Sequence, residues 1–345
     1  MNRREFTAAG LAGLAVLGRA ADVSPSASMG LLFYSYNRRA AAEKARGFAD
    51  PAKFLAFAKS RGANAIQISL GTRSDGEARA IRQAAESLQM HVEGIVTPPR
   101  DERADLDRFR AELATAHHAG VTVVRTVMHG GRRYEVFEKP GDYDAFAKRA
   151  EAALRIAEPV AQEHKVVLAI ENHKDFRVQE QVDLLKKCSS EWLGVCLDTG
   201  NNIALLEEPL AVVEALAPFT RTVHLKDMAF EDAPDGFRMT EVPLGQGTLD
   251  LPAMVKVVRK VNPKALFQLE MITRDPLSIP CLGEKYWASM AKVPGLELAR
   301  TLSRVRQSAR KTPLPRLSTM SPAEQIAIED RHVRESFSHA SKIGL

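Results

Sequence analysis

The second half of the chain contains four short apolar runs that each end in an acidic or imidazole side chain. The runs cover residues 166–171, 194–198, 221–224 and 266–270. Short apolar runs bounded by turn or polar residues are typical of buried strands in a parallel sheet. Their last residues, at spacings of 27, 26 and 46, are Glu171, Asp198, His224 and Glu270. Each spacing leaves room for a helix between successive strands.

The first half of the chain shows the same alternation of strand and helix patterns. Strands are predicted over residues 31–36, 65–70, 91–96 and 121–128. Helices are predicted over residues 51–61, 77–89, 106–118, 144–164, 179–188, 209–216 and 251–261. Eight strands that alternate with helices favour an α/β fold, the (β/α)8 TIM barrel. An open doubly wound sheet competes with it, but no glycine-rich phosphate turn follows the first strand.

The chain departs from this repeat in two places. Residues 228–248 form an unusually long connection rich in turn residues, which predicts an excursion such as a hairpin. Residues 284–310 have a helical pattern, and Ser321 with Glu324 predicts the capped start of a last helix. We therefore predict a barrel over residues 29–280 and a C-terminal helical extension over 281–345. The extension covers either the bottom of the barrel or a neighbouring subunit.

Composition and charge restrict the classes of function. The 345 residues are 45% hydrophobic, which is enough for one large core. The net charge is +5, but residues 300–345 alone hold nine Lys and Arg against four Asp and Glu. The body of the chain is therefore nearly balanced in charge, which disfavours nucleic acid as a partner. No apolar run in residues 29–345 reaches the roughly 18 residues that predict a membrane span.

The N-terminus has the features of an export signal. Arg3 and Arg4 precede an apolar stretch of mainly Ala, Gly and Leu at residues 8–18. This pattern resembles a twin-arginine signal peptide over residues 1–28 and predicts export to the periplasm. The alternative is an ordinary amphipathic helix. The three widely spaced cysteines form neither a disulfide framework nor a zinc-ribbon spacing.

The four residues at the strand ends are candidate ligands of one divalent metal ion. In a β/α barrel the C-terminal ends of all strands meet at one face, so these four side chains should converge there. Charged groups are rarely buried unless they are paired or bind a metal. Three carboxylates and one imidazole favour Mn²⁺ first, with Mg²⁺, Co²⁺ or Zn²⁺ as alternatives. The competing interpretation is that one or two of the four are salt-bridged surface residues.

Other polar side chains are expected at the same face. Residues two positions apart on a strand share a face, so Lys226 should lie one layer above His224. There it would stabilise a developing oxyanion and so be catalytic, or it would form an ion pair with Asp198 or a glutamate. Four candidates for substrate binding follow strand ends, namely His129, His173, Asn201 and Arg274. The alternative for the histidines is that they are ordinary loop residues, and Arg274 could instead brace Asp275.

Five segments of the chain together are similar to the xylose-isomerase-like TIM-barrel superfamily, which includes sugar phosphate isomerases and epimerases. They are Leu-Ala-Ile-Glu-Asn-His at 168–173, Cys-Leu-Asp-Thr-Gly-Asn at 196–201, Val-His-Leu-Lys-Asp at 223–227, Pro-Leu-Gly-Gln-Gly at 243–247 and Leu-Glu at 269–270. In the ketose epimerase branch the residues equivalent to Glu171, Asp198, His224 and Glu270 bind one metal. The resemblance implies that Glu171 and Glu270 also pass a proton through a metal-stabilised enediolate.

The chain departs from the family pattern at Asn201, where many epimerases have a histidine. Endonuclease IV uses that histidine in a three-metal cluster, so its absence argues against a role in DNA repair. The epimerase arginine just past the histidine of the seventh strand is also missing, and Lys226 and Asp227 lie in its neighbourhood.

Three classes of function follow from the residues and the resemblance. The first is a metal-dependent isomerase or epimerase of a small sugar or keto-sugar, and the resemblance implies that a homodimer is common. The second is a lyase, dehydratase or decarboxylase of a 3-keto sugar or keto-sugar acid, which shares the first chemical step. The third is a non-catalytic periplasmic sugar binder, which the complete ligand set disfavours. The fold by itself decides none of these.

Overall fold

A computed structural model describes residues 29–100 and 102–345 and contains a closed barrel of eight parallel strands. In chain order the barrel strands are β1 (Met29–Leu32), β2 (Ala65–Ile68), β3 (His91–Ile95), β4 (Val123–Thr126), β5 (Val167–Glu171), β6 (Leu193–Asp198), β7 (Thr220–Leu225) and β10 (Leu266–Leu269). Strands β8 (Asp227–Ala233) and β9 (Gly236–Val242) lie outside the barrel. Consecutive barrel strands pair in parallel, and β1 pairs with β10 to close the ring. The predicted TIM barrel is confirmed.

Helices surround the barrel in the described part of the chain. They are α1 (Asn37–Ala42), α2 (Pro51–Ser60), α3 (Asp75–Ser87), α4 (Arg103–His118), α5 (Arg133–Val136), α6 (Pro140–His164), α7 (Val178–Cys188), α8 (Pro209–Leu216), α9 (Leu251–Val261), α10 (Gly295–Ser308) and α11 (Pro322–Ala340). Capping side chains determine where several of these helices begin. Asp50 caps α2 ahead of Pro51, and Ser74 with Glu77 forms a capping box at α3. The predicted helix over 284–310 is interrupted, because Pro294 precedes the start of α10.

The prediction of a first strand over residues 31–36 is wrong for its last four residues. Strand β1 ends at Leu32, and Phe33–Tyr36 form a 3-10 turn. The ring of Phe33 packs edge-on against Phe54, with centroids 5.2 Å apart, and Tyr36 packs in the same way against Phe57 at 4.8 Å. These contacts turn the chain away from the barrel. The apolar pattern could not reveal this, because a buried aromatic turn has the same composition as a strand.

The long connection after β7 forms the predicted hairpin. Its strands β8 (Asp227–Ala233) and β9 (Gly236–Val242) are antiparallel, and β11 (Leu277–Ile279) adds a third strand that the sequence did not predict. Gly236 has a φ of +146°, and a Cβ there would lie 2.2 Å from the carbonyl oxygen of Ile279. Only glycine therefore allows β9 to start beside β11.

The C-terminal helix α11 packs beside the mouth of the barrel, where the strands have their C-terminal ends. The carboxylate of Glu329 accepts hydrogen bonds from the backbone N–H groups of Arg38 and Arg39, at 2.8 and 3.0 Å, at the start of α1. His332 lies 3.3 Å from the hydroxyl of Thr273, just beyond β10. Both contacts involve segments that follow C-terminal strand ends. The alternative in which the extension covers the bottom of the barrel is therefore wrong.

Two further predictions concern the termini and membranes. The signal peptide predicted over residues 1–28 lies outside the described residues. Among residues 29–100 and 102–345, no helix combines the length and the apolar character that crossing a bilayer needs.

Candidate metal centre at the barrel mouth

The barrel brings together the four side chains that end the apolar runs. Glu171 ends β5, Asp198 ends β6, His224 is near the end of β7, and Glu270 directly follows β10. One donor atom from each residue lies within 4.8 Å of the donor atoms of the others. All four side chains are buried, and none is more than 4% exposed. The convergence follows from the parallel register, in which Asp198 is the partner of His224 across β6 and β7.

A buried polar layer below these residues orients the imidazole of His224. Glu93 accepts hydrogen bonds from the amide of Gln67 at 3.0 Å and from the amide of Gln268 at 2.9 Å. Because Gln67 donates to Glu93, its amide oxygen faces Nε2 of His224 at 2.7 Å. Nε2 must therefore carry a proton, and Nδ1 is the ring atom that faces the carboxylates.

Replacement of Gln67 tests this orientation. Gln67→Leu removes the acceptor that fixes the ring but keeps all four candidate ligands, so metal affinity should fall by about 10–100-fold. Isothermal titration with Mn²⁺ measures the change, and Gln179→Leu on the surface of α7 serves as the control. Unchanged affinity in Gln67→Leu would show that the ring is oriented by something else.

Glu171 is held in its ionised form by its neighbours. Nε of Arg125 donates to Oε2 of Glu171 at 2.5 Å, and the amide of Asn201 donates to Oε1 at 2.9 Å. Burial alone would raise the pKa of Glu171, but Arg125 and His224 outweigh it and hold this pKa well below its usual range. Glu171 is therefore a carboxylate at neutral pH.

Lys226 lies between two of the other carboxylates. Its Nζ is 2.8 Å from Oδ2 of Asp198 and 3.0 Å from Oε2 of Glu270. Burial works to raise the pKa of Glu270, but Lys226 and His224 lower it well below the usual value. For Asp198 burial outweighs Lys226 and raises the pKa to about 7.

The donor set fits a divalent cation. Three buried atoms have no hydrogen-bond partner, namely Oδ2 of Asp198, Nδ1 of His224 and Oε2 of Glu270. Lys226 Nζ is close to both oxygens, but its angles are poor, so these are charge contacts rather than aligned hydrogen bonds. Buried polar atoms without partners are costly, and one cation among three carboxylate oxygens and an imidazole nitrogen would satisfy all of them.

The residues that the sequence predicts to bind substrate differ from one another in the groups that they contact. Asn201 contacts Glu171 directly. Arg274 pairs with Glu241 of the hairpin, with Nε 3.1 Å from Oε2, and does not brace Asp275. Nδ1 of His173 is 3.1 Å from the backbone oxygen of His129, and burial lowers the pKa of His173 to about 4, so its ring is neutral.

The side chain of His129 is not brought to the four candidate ligands. Its Nδ1 accepts a hydrogen bond from the N–H of Gly131 at 2.8 Å, and its ring packs edge-on against Phe137 and Phe146. These contacts are those of a loop residue that braces its own turn. A role for His129 in substrate binding has no contact to support it within the described residues.

Comparison with known proteins identifies the family. Residues 55–293 match the family described as xylose isomerase-like TIM barrel, which is more than half of the chain. The chain belongs to this family. The 3-oxo-isoapionate decarboxylase of Pectobacterium atrosepticum is 28% identical to this xylose isomerase-like barrel over 192 residues, which is 54% of this chain and 63% of the relative.

Solved structures show the same architecture. A structure of L-ribulose 3-epimerase has a TM-score of 0.54 at 16% identity and covers 83% of this chain and 100% of that one. A D-psicose 3-epimerase determined in the presence of D-fructose has a TM-score of 0.55 at 14% identity and covers 81% and 97%. At this identity the likeness establishes the fold alone. The present xylose isomerase-like barrel spans 54–63% of the length of the curated relatives that it matches.

Sequence reasoning missed three residues around the centre of this xylose isomerase-like barrel. Gln67 and Glu93 are polar residues inside the short apolar strands β2 and β3, and that interruption was a usable signal. Glu241 lies on β9, opposite Met228 of β8. Its approach to Arg274 depends on the register of the hairpin, and no feature of the sequence specified that register.

Proposed function

We propose that this protein is a divalent-metal-dependent isomerase or epimerase of a keto-sugar. One observation carries the proposal: two buried glutamates, Glu171 and Glu270, share one candidate metal centre with Asp198 and His224, and both glutamates are ionised. Two carboxylates that approach one site are suited to removing a proton from one face of a substrate and returning a proton to the other. The epimerases with the same fold lend general support.

The residues of the chain would divide the work as follows. One ionised glutamate removes the proton from the carbon next to the substrate carbonyl. The other glutamate must first accept a proton from a substrate hydroxyl or from solvent, and it then delivers that proton to the carbon to give the isomer or epimer. The first glutamate releases the proton that it took up to solvent, which restores the starting state. Lys226 would donate to the oxygen that becomes negative in the enediolate. Glu171 and Glu270 are weak bases, because their pKa values lie below the usual range. When bound, a divalent cation would polarise the carbonyl and make the neighbouring C–H acidic enough for such bases.

A lyase or decarboxylase is the second candidate, and one observation favours it. The curated relative that is 28% identical is named a decarboxylase. Loss of CO₂ from a 3-keto acid leaves an enolate, so the same cation and Lys226 would stabilise it. The two functions therefore differ in which bond to the reacting carbon breaks.

Proton exchange with solvent distinguishes these functions. We expect the Mn²⁺-loaded protein, incubated in D₂O with a panel of ketoses and keto-sugar acids, to incorporate deuterium at a carbon next to the carbonyl. Chelation should abolish the exchange and added Mn²⁺ should restore it, as followed by NMR. Release of CO₂ or elimination would replace the first function by the second. A metal-loaded protein that binds these compounds without any of the three reactions would be a sugar binder.

Metal affinity should depend on pH in a defined direction. Burial raises the pKa of Asp198 to about 7. Burial tends to lower the pKa of His224, but Cys196, Glu270 and Glu171 outweigh it and raise the pKa well above its usual value. Both groups therefore hold protons at pH 6 that a metal must displace, so affinity for Mn²⁺ should rise between pH 6 and pH 8. Each released proton contributes up to about tenfold per pH unit.

Isothermal titration measures this pH dependence. Titration of Mn²⁺ at pH 6, 7 and 8, in buffers with different ionisation enthalpies, gives both the affinity and the number of protons released. An affinity that is the same across this range would contradict the prediction. Export by the twin-arginine route and assembly into a homodimer remain predictions from the sequence.

A further inference from the structure

Lys174 is a buried cation that the proposed reaction leaves without a role. It follows β5 by three residues, is only 4% exposed, and has a backbone φ of +75°. A positive φ is uncommon for a residue with a side chain, and such strained residues cluster at binding sites. Among the described residues, no carboxylate oxygen lies within 4.0 Å of its Nζ. Nζ instead donates a hydrogen bond to Oδ1, the side-chain amide oxygen of Asn201.

The ammonium groups of Lys174 and Lys226 contact the same oxygen atom. Nζ of Lys226 lies 3.3 Å from Oδ1 of Asn201, the oxygen that also accepts from Lys174. Two positive charges thus share one neutral oxygen in a buried place, where like charges repel strongly. Burial and, after it, the charge of Lys226 together lower the pKa of Lys174 to about 8. An anion between the two ammonium groups would relieve this repulsion.

The sum of the charges around the mouth would be positive once a divalent cation is bound, and this favours an anionic ligand. The connected groups include four carboxylates: Glu171, Asp198, Glu241 and Glu270. They also include four side chains that carry a positive charge at neutral pH: Arg125, Lys174, Lys226 and Arg274. Once a metal has displaced the protons of Asp198 and His224, these charges cancel, so the divalent cation itself would leave the group positive by two units. A neutral sugar would leave this excess buried, whereas an anionic substrate would compensate it.

We infer that Lys174, together with Lys226, binds a carboxylate group of the substrate, which is therefore a keto-sugar acid. The inference rests on the proposed function, because it names the substrate class for the same centre. Lys174 would act as a specificity-determining residue rather than as an acid or base. The side chains of both lysines are buried, so they would have to shift when the substrate enters.

The position of Lys174 favours a carboxylate near the reacting carbons over a phosphate at the far end of a sugar. A single amide group separates Lys174 from Glu171, because Asn201 accepts from the lysine with Oδ1 and donates to Glu171 with Nδ2. An anion held by Lys174 thus lies one amide group away from a glutamate proposed to move the proton. The terminal phosphate of a sugar phosphate is several carbons away from that point.

A matched pair of compounds tests the inference. 2-Keto-D-gluconate and D-fructose differ only at C1, which is a carboxylate in the first and CH₂OH in the second. We expect the Mn²⁺-loaded protein to bind 2-keto-D-gluconate at least about tenfold more tightly, as is typical of a hydrogen bond between charged groups. In Lys174→Gln this preference should fall to about twofold or less, with unchanged Mn²⁺ content. Lys186→Gln, on the exposed face of α7, removes the same charge and should keep the preference.

Three results would overturn the inference. They are equal binding of the two compounds by the native protein, an undiminished preference in Lys174→Gln, and tighter binding of D-fructose 6-phosphate than of 2-keto-D-gluconate. The last would assign the anion to a phosphate. Failure of the proposed function has a different signature, because it would appear as absence of stoichiometric metal or of proton exchange in the native protein. A Lys174→Met variant with a melting temperature at or above the native value excludes misfolding as the cause.

Discussion

Glu270→Gln is expected to keep the fold and to lose metal affinity and turnover together. Oε2 of Glu270 lies 3.0 Å from Nδ1 of His224 and has no hydrogen-bond partner, so the substitution removes one donor of the candidate centre. It also removes one of the two proposed proton carriers, a role worth about 10²–10⁴-fold in rate. Deuterium exchange should fall by at least this factor, and metal affinity should fall by more than the 10–100-fold expected for an outer partner.

Metal analysis, circular dichroism and exchange rates measured on the same preparation test this result. Glu214→Gln, on the exposed side of α8, makes the same chemical change away from the mouth and should alter nothing. If Glu270→Gln kept stoichiometric Mn²⁺ and native exchange, Glu270 would be neither a ligand nor a proton carrier. The proposed function would then lose its main support.

Lys226→Met should separate turnover from metal binding. The ammonium group lies within 3.0 Å of Asp198 and Glu270, so it repels a cation bound by the same oxygens. Its removal should leave the affinity for Mn²⁺ equal or higher, because methionine keeps the unbranched apolar chain up to Cε and lacks the charged Nζ. Turnover should fall by about 10²–10³-fold, the usual loss when a donor to a developing oxyanion is removed.

Parallel titration and exchange measurements decide the role of Lys226. Lys187→Met on the exposed end of α7 is the matched control. A native exchange rate in Lys226→Met would refute the role as an oxyanion donor. A loss of metal equal to the loss of turnover would instead mean that Lys226 holds the carboxylates in place, as the ion-pair alternative of the sequence analysis requires.

The sequence was sufficient for the fold and for the residues that lie at strand ends. A parallel barrel imposes one geometry on all its strands, so locating the ends of β5, β6, β7 and β10 was enough to predict that Glu171, Asp198, His224 and Glu270 meet. Lys226 was also predictable, because alternation along β7 carries it to the same side as His224. These inferences need only the apolar pattern of each strand and the common geometry of the strands in a parallel barrel.

Contacts that depend on irregular backbone could not be predicted. The neighbour of Arg274 was expected to be Asp275, but it is Glu241, which arrives through the register of a hairpin. The turn after β1 has the apolar pattern of a strand, because its aromatic residues pack against other aromatic rings. The sequence places Lys174 in a cationic set with Lys226, Arg274 and His173, which hints at a keto-sugar acid or another electron-rich substrate. Its positive φ and its contact with Asn201 could be seen only in the structure.

The carboxyl group of Glu93 links parts of the chain that are far apart. It accepts hydrogen bonds from Gln67 on β2, from Thr222 on β7 and from Gln268 on β10, while Glu93 itself lies on β3. The ring of His224 gains its orientation only when these four strands are assembled. The donor geometry that would hold a cation therefore exists only in the assembled barrel, so we expect tight binding of the ion to require the folded protein.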